Sequence, residues 1–338
     1  MTFDRGPEKM QQIVDNNRGW TMAKRTETAG RLNDAARAGW LYYVAGRTQD
    51  EIAAAMGISR QSAQRLVSLA VAERLIKVRL DHPIAECLEL GEALKQKFGL
   101  VHVDIVPGDP GSTSTTIGIA EAGAAEIERW LKTSAPIVLA VGTGRTLKAA
   151  IDQLPAMECP QHRILSLTGN IGPDGSAAYY NVIFSMADAV KARHYPMPLP
   201  VLVSSIEERD LLHRQSLVQS TLQLGREANV AFVGIGELGA DAPLCLDGFL
   251  DPEEMAHPMA DGAAGEICGW MFDRNGRLLE GSINERVASV PLPSRETTTV
   301  IGLAKGKRKY LALLAALRGK MINGVITDEA TARYLLSA

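Results

Sequence analysis

The run Thr48-Gln-Asp-Glu-Ile-Ala-Ala-Ala-Met-Gly-Ile-Ser-Arg-Gln-Ser-Ala-Gln-Arg-Leu-Val-Ser-Leu-Ala-Val-Ala-Glu73 admits few folds, because it reads as two helices bent around a Gly-Ile-Ser turn. Thr48 stands three residues before Glu51, the spacing of a capping box, and Ile52, Ala53 and Met56 then share one helical face. Ala53 is small where the helices must approach. Gly57 takes a backbone conformation that branched residues resist, Ile58 plugs the core, and Ser59 caps the second helix. From that helix Ala63 and Leu66 face inward, while Arg60, Gln61, Ser62, Gln64 and Arg65 face solvent. These are the types that read base edges and phosphates: Arg bonds guanine, Gln bonds adenine, Ser bonds either. Any small αα-hairpin with a polar outer face has the same period. Here the Ala, Gly-Ile-Ser and apolar positions agree together on a helix-turn-helix that lays its second helix in a DNA groove.

A helix from Asn33 to about Val44 completes the expected bundle, and Leu75-Ile-Lys-Val-Arg-Leu80 alternates apolar with basic residues, as the strand of a wing would. Its Lys77 and Arg79 would then meet flanking phosphates. The expected DNA-binding set is therefore Thr48, Ser59, Arg60, Gln61, Ser62, Gln64, Arg65 and Lys77.

Charge supports that division of labour. Residues 1–80 carry 13 Lys/Arg against 8 Asp/Glu, whereas the remainder carries 23 against 31, so only the N-terminal part attracts a polyanion. At 338 residues and 46% hydrophobic content the chain has room for this module and one large core of roughly 250 residues. Cys87, Cys159, Cys245 and Cys268 lie far apart with no C-x-x-C pair and no secretory signal, which reads as reduced thiols in a cytoplasmic protein. The richest apolar run, Ala135-Pro-Ile-Val-Leu-Ala-Val-Gly142, is strand-length, so no membrane span or membrane partner is expected. The six histidines are scattered without an i, i+4 pair, and neither a metal nor a cofactor is expected.

Residues 1–29 read as a flexible arm, with Met22 an alternative start; 30–80 as the helix-turn-helix domain; 81–98 as a connecting helix ending at Gly99; and 99–338 as the effector and oligomerisation domain. Across that last stretch strands and helices alternate. Strands are expected at Val101–Val106, Pro136–Val141, Arg163–Leu167, Leu199–Val203, Val230–Ile235, Gly269–Asp273 and Thr298–Gly302. Helices are expected at Ser114–Leu131, from Thr146, at Asn181–His194, at Ile206–Leu224, at 307–318 and at 328–337. The fold class is α/β, a winged helix-turn-helix followed by a doubly wound parallel sheet.

In such a sheet ligands collect beyond the carboxyl ends of the strands. One strand runs into Gly142-Thr-Gly-Arg-Thr146 and then a helix, so its glycines let the backbone approach a ligand while Thr143 and Thr146 offer hydroxyls and the helix start offers free N–H groups. A third glycine is missing, which removes the dinucleotide reading, and a bare strand-to-helix turn has the same sequence. Three further Gly-rich exits converge with it: Thr168-Gly-Asn-Ile-Gly172, Gly234-Ile-Gly-Glu237 and Ala304-Lys-Gly-Lys-Arg308. The expected effector set is Gly142, Thr143, Gly144, Arg145, Thr146, Thr168, Asn170, Glu266 and Lys307, with Lys307 aimed at an anionic group. Glu266 comes from the run Asp261-Gly-Ala-Ala-Gly-Glu-Ile-Cys-Gly-Trp270, which precedes a hairpin signal at Asp273-Arg-Asn-Gly276.

With its helix-turn-helix, Gly142-Thr-Gly-Arg-Thr146, Gly262-Ala-Ala-Gly-Glu-Ile267 with Phe272-Asp-Arg-Asn-Gly276, and Ala304-Lys-Gly-Lys-Arg-Lys309 with Thr327-Asp-Glu-Ala-Thr-Ala-Arg333, the chain resembles the SorC family of sugar-sensing bacterial transcriptional regulators. The resemblance runs from about residue 30 to the C-terminus. It implies an effector domain similar in fold to glucosamine-6-phosphate deaminase and ribose-5-phosphate isomerase, a loop at Gly142, Thr143, Gly144 and Thr146 that cradles the effector, a Lys307 that touches its anionic end, and a tetramer. Thr168 stands where phosphosugar-sensing relatives carry an arginine, and Lys305 where a small residue is common. The lost cation leaves an unphosphorylated sugar or sugar alcohol open.

Two functions follow. The first is a transcription factor on inverted operator half-sites, assembled as a dimer or tetramer and gated by a sugar, sugar phosphate or sugar alcohol. The second is a sugar-phosphate isomerase or deaminase with an appended helical module, for which the candidate carboxylates Glu237 and Glu266 of the Gly-rich segments form no defensible acid–base pair.

Overall fold

The computed structural model describes residues 28–73, 75–76, 84–109 and 111–338. Its contacts divide the chain at residues 81 and 82 into an N-terminal unit and a large C-terminal unit.

The N-terminal unit holds α1 (28–43), α2 (Gln49–Met56) and α3 (Arg60–Ala72). Residues 28 and 29, expected in the arm, already belong to α1, which starts earlier than Asn33. The capping box is formed: the Thr48 hydroxyl accepts from the Glu51 N–H at 3.3 Å and the Glu51 carboxylate accepts from the Thr48 N–H at 2.8 Å. Gly57 ends α2 at φ 66°, a left-handed conformation, and Ser59 caps α3 by accepting from the Ser62 N–H at 3.1 Å. Ala38, Ile52, Ala53, Ala63 and Val67 form the buried centre, with Leu41, Met56, Ile58 and Leu66 packed around it. Of the expected wing strand only Leu75 and Ile76 are described, as a bend; Lys77 and Arg79 lie outside the described residues.

The C-terminal unit opens with α4 (Ala85–Phe98) and then alternates strand and helix: β1 (His102–Val106), α5 (Ile119–Leu131), β2 (Val138–Val141), α6 (Arg145–Ile151), β3 (Arg163–Ile171), α7 (Val182–Val190) and β4 (Arg193–Pro200). After α8 (Ile206–His213), α9 (Ser216–Arg226) and β5 (Val230–Gly234), an excursion carries α10 (Pro243–Leu246), α11 (Pro252–Ala260), β6 (Ala263–Ile267), β7 (Trp270–Asp273) and α12 (Ser282–Glu285). The chain closes with β8 (Thr299–Leu303), a 3-10 turn at Lys307–Lys309, α13 (Tyr310–Arg318), β9 (Gly324–Asp328) and α14 (Glu329–Ser337).

Seven strands pair in the order β1-β9-β8-β5-β2-β3-β4, every pair parallel. The period-2 alternation of a strand sends neighbouring side chains to opposite faces. Val138, Ala140, Ala231, Val233, Val300 and Val325 join one core with α4, α9, α13 and α14. Leu139, Val141, Val230, Phe232, Ile301 and Ile326 join the other with α5, α6 and α7. Apolar side chains at consecutive positions are thus what double burial requires. Strand order reverses between β2 and β5: β3 and β4 continue outward on one side, β8 and β9 on the other.

Four expectations are corrected. The strand expected at Leu199–Val203 is β4 at Arg193–Pro200, and the preceding helix stops at Val190. Pro196, Pro198 and Pro200 cannot donate to a ladder, but at spacing two their missing N–H groups fall on one side of an edge strand and leave its paired side intact. Residues Gly269–Asp273 do not join the main sheet; β6 and β7 form a separate antiparallel ribbon. Its two-residue connection has both members at positive φ, Cys268 at 55° and Gly269 at 88°. The helix expected from Ile206 to Leu224 is two helices, and Gly324–Asp328, not anticipated as a strand, pairs with both β1 and β8.

β3 bends where Gly169 crosses β4: a Cβ there would lie 2.3 Å from the Leu199 carbonyl oxygen. Replacing Gly169 by Ala forces two backbones apart, an overpacking cost of about 1–3 kcal/mol. Urea denaturation of Gly169→Ala should therefore show a lowered midpoint at unchanged slope.

Candidate functional site

On α3 the outer face is built as the sequence requires. Arg60, Gln61, Gln64 and Arg65 are exposed, and the Arg60 guanidinium stands 3.5 Å from the Asp50 carboxylate, an open surface pair that is easily exchanged for a phosphate. Thr48, Ser59 and Ser62 are engaged in caps, with the Ser59 and Ser62 hydroxyls 2.9 Å apart. Their part in the head is to fix the start of each helix. The four long side chains are left exposed on the outer face of α3.

The second site is a cleft of about 110 Å³ beyond the carboxyl ends of β2, β3 and β5. It lies where the strand order reverses, so the loops leaving β2 and β5 diverge to opposite faces and open a crevice between them. Thr143, Gly144, Arg145 and Thr146 line it after β2, Thr168 at the end of β3, and Gly234, Ile235 and Gly236 after β5. Gly144 sits at φ 112° and ψ 170°, a conformation only glycine adopts readily, and so turns the chain into α6. Glu266 enters from the ribbon because β6 bridges the β5 exit: the Gly236 N–H donates to the Glu266 carbonyl at 2.9 Å and the Glu266 N–H returns to the Gly236 carbonyl at 3.1 Å. Gly236 is bare for that reason; a Cβ would fall onto the Glu266 carboxylate.

The floor of the cleft holds buried polar groups. The Thr168 hydroxyl is buried and makes no hydrogen bond to an oxygen or nitrogen among the described residues; the polar group it interacts with is the Cys268 thiol, a weak partner. Beside it the Cys268 thiol is pushed up to about 12 by burial and stays protonated. Glu266 receives the Gly269 N–H at 2.8 Å, and burial pushes its carboxyl above the ordinary range despite that bond and the nearby Lys309 ammonium. Burial raises Glu237 as well, but Lys309 and Arg308 outweigh it and hold this carboxyl below its usual value.

Not every expected residue reaches the cleft. Gly142 continues the pairing instead, its N–H donating to the Phe232 carbonyl at 2.9 Å, and a Cβ there would meet the Cys268 sulfur at 3.1 Å. Asn170 donates to the Thr168 and Met197 carbonyls at 3.2 and 3.3 Å and so splints the irregular β3–β4 pairing. Lys307 is exposed and outside the lining; the cation that lines the cleft is Lys309, two residues on in the same basic run. Lys305 neither faces solvent nor supplies charge to the cleft, since its ammonium is buried against the Ile117 carbonyl at 2.7 Å. Thr115, Tyr180, Asp247 and Phe249 line the cleft from loops that carry no strand-end glycine signal in the sequence. α6 is a seven-residue helix, too short to carry the anion-binding role expected of its start.

The raised Glu266 carboxyl has a consequence for stability. A carboxyl whose folded value exceeds its unfolded one stabilises the fold at low pH and loses that contribution as pH rises through the folded value. Glu266→Gln mimics the protonated form. Its melting temperature relative to the parent should therefore increase as pH rises above the ordinary glutamate value of about 4.3, and a constant difference would show that the carboxyl is ionised in both states.

Comparison with known proteins matches both units of the chain to known families. Residues 82–337 match the family described as "Putative sugar-binding domain", and residues 38–83 match the MarR family. The erythritol catabolism regulatory protein EryD of Brucella abortus is 32% identical over 304 residues, spanning 89% of this chain and 96% of its own. The transcriptional regulator LsrR of Klebsiella pneumoniae is 32% identical over 310 residues, spanning 89% and 92%. The crystal structure of the full-length sorbitol operon regulator SorC from Klebsiella pneumoniae superimposes with a TM-score of 0.69 at 25% identity, covering 89% of this chain and 97% of that one. These relatives are regulators and not enzymes, which sets the isomerase or deaminase reading aside. The chain belongs to the SorC family: it is a DNA-binding transcriptional regulator of carbohydrate metabolism with a C-terminal sugar-binding domain.

Proposed function

We propose that a small carbohydrate seated in the cleft between the β2 and β5 exits controls operator binding by symmetric oligomers of this chain in the cytoplasm. The observation that carries the reading is the buried Thr168 hydroxyl, which has no partner but the weak Cys268 thiol, at the floor of a cleft built from three strand exits. An unmet hydroxyl in the interior costs free energy unless a ligand completes it. Thr143, Thr146 and Glu266 supply further partners for sugar hydroxyls, and Arg145 stands exposed at the rim. Gly144 shapes the loop by its backbone. Gly142, Asn170 and Lys307 have no direct contact in this reading. A cleft of about 110 Å³ suits a small ligand, and EryD, named for erythritol catabolism, supports a small sugar alcohol among the candidates.

For the reading head, Arg60, Gln61, Gln64 and Arg65 contact base edges and phosphates. One helix in a groove buries only ~600–1,000 Å² of protein surface, too little for tight operator binding, so paired heads on inverted half-sites are required. Ligand binding changes the populations of DNA-competent and incompetent assemblies by the difference in its affinity for each.

Operator titrations should show Gln61→Ala and Gln64→Ala each relaxing base preference at one or two positions per half-site, by about 1–3 kcal/mol per lost bidentate contact. Uniform weakening on every sequence would remove these side chains from the base edges. In the cleft, Thr168→Val deletes a hydroxyl whose partner without ligand is only the weak Cys268 thiol. The variant should melt at or above the parent temperature yet bind effector about 2- to 10-fold more weakly, reflecting a lost bond of ~0.5–1.5 kcal/mol. Calorimetry and thermal melts together decide it, and unchanged effector affinity would place the ligand elsewhere. Light scattering on the fragment 82–338 tests the assembly: the body should keep the oligomeric state and ligand of the full chain, and a monomeric fragment that still binds effector would move oligomerisation to the head.

A further inference from the structure

Taking the cleft as the effector site, we infer that its ligand is an unphosphorylated, uncharged polyol or sugar, held by hydroxyl contacts on the floor and by aromatic rings at the entrance.

Two independent features lead there. The first is the charge arrangement around the floor. Lys309, the lysine of the lining, is already ion-paired with Glu237, and Arg308 behind it spans Glu237 at 3.5 Å and Asp241 at 2.7 Å. The remaining charged groups of the lining are Arg145, Asp247 and Glu266, so the cations of this region are matched or outnumbered by carboxylates. A phosphate monoester brings about two negative charges at neutral pH. It would have to displace Glu237 from Lys309 or be held by the exposed Arg145 alone, beside Asp247. A neutral ligand meets no such conflict: Thr168 and the Glu266 carboxyl offer hydrogen-bonding groups that match its hydroxyls.

The second feature is the outer vestibule, a cavity of about 560 Å³ that shares Thr143, Tyr180, Asp247 and Phe249 with the cleft. The charged residues in its lining are Asp174 and Asp247, with no lysine or arginine among them. Hydrogen bonds from the Ser176 hydroxyl and N–H hold the Asp174 carboxyl below its ordinary range, so it is ionised at neutral pH. An incoming phosphate therefore meets a negative entrance, the opposite of electrostatic steering. The same entrance presents Tyr179, Tyr180 and Phe249, the two tyrosine rings edge to face at 4.9 Å. Aromatic bodies with a polar tip suit the mixed C–H and O–H surface of a carbohydrate.

The test is calorimetric titration of the full-length protein with matched pairs: erythritol, ribitol and sorbitol against erythritol 4-phosphate, ribitol 5-phosphate and sorbitol 6-phosphate, with ribose and glucose and their phosphates beside them. At least one free compound should bind, and its phosphate should bind at least about tenfold more weakly at low ionic strength. Because the vestibule charge is screened by salt, that ratio should narrow at about 0.5 M salt and in the double variant Asp174→Asn, Asp247→Asn. A phosphate ester bound more tightly than its parent compound, or no free compound binding at about 10 mM, overturns the inference. Thr168→Val separates this from a failure of the cleft reading. A phosphate ester that binds more tightly than its parent compound and loses affinity in Thr168→Val overturns only the uncharged ligand, whereas a tightest ligand indifferent to Thr168→Val overturns the cleft as its site.

Discussion

The pairing of β2 with β5 is the constraint on which the effector domain rests. Both strands are buried on both faces, Leu139 and Val141 toward one core and Ala140, Ala231 and Val233 toward the other, so neither strand can present a polar side chain along its length. Polar groups are left to the strand ends. Pairing persists one residue beyond β2, through the Gly142 N–H to the Phe232 carbonyl, and then Gly144 and Gly236 let the two chains part. Because the strand order reverses at this pair, the two exits leave for opposite faces and the space between them stays open.

What fills the remaining walls is the excursion between β5 and β8. It is anchored by its own small core, in which Leu244, Leu250, Met255, Met271 and Val287 pack on Val201 and Leu202 just after β4. That packing carries Phe249 and Asp247 over the cleft and, through the β6 bridge to Gly236, sets Glu266 on the floor. The site is therefore held by a rigid sheet on one side and by a separately packed layer on the other. A ligand that bridges the two changes the free energy of their closure, which is the kind of differential contact a regulatory equilibrium needs.

Much of this was legible in the sequence because it rests on local rules. The Thr48 and Ser59 caps, the left-handed Gly57 and the inward Ala63 follow from helix-end chemistry over a few residues. The strand-to-helix turn at Gly144 follows from the same kind of rule. What escaped depended on long-range pairing. β4 was misplaced because its prolines are tolerated only at a sheet edge, which sequence does not reveal, and β9 was missed because Gly324–Asp328 is a strand only through its neighbours β1 and β8. Lys309 was missed for Lys307 because a short 3-10 turn sets which member of the basic run faces inward. Asn170 looked like a ligand group and proved a splint for a backbone irregularity between β3 and β4. Asp174, Tyr180 and Asp247 sit on loops whose approach to the cleft is fixed by tertiary packing alone.

Amide hydrogen exchange of the full-length protein, read by mass spectrometry with and without saturating effector, tests most directly the claim that the ligand bridges the β2 and β5 exits. The account predicts that exchange slows at residues 142–146, 234–237 and 266–269, the segments that meet at the cleft. Unchanged exchange there, with protection confined to the separate cavity lined by Trp270, Leu292, Arg295 and Lys320, would contradict it.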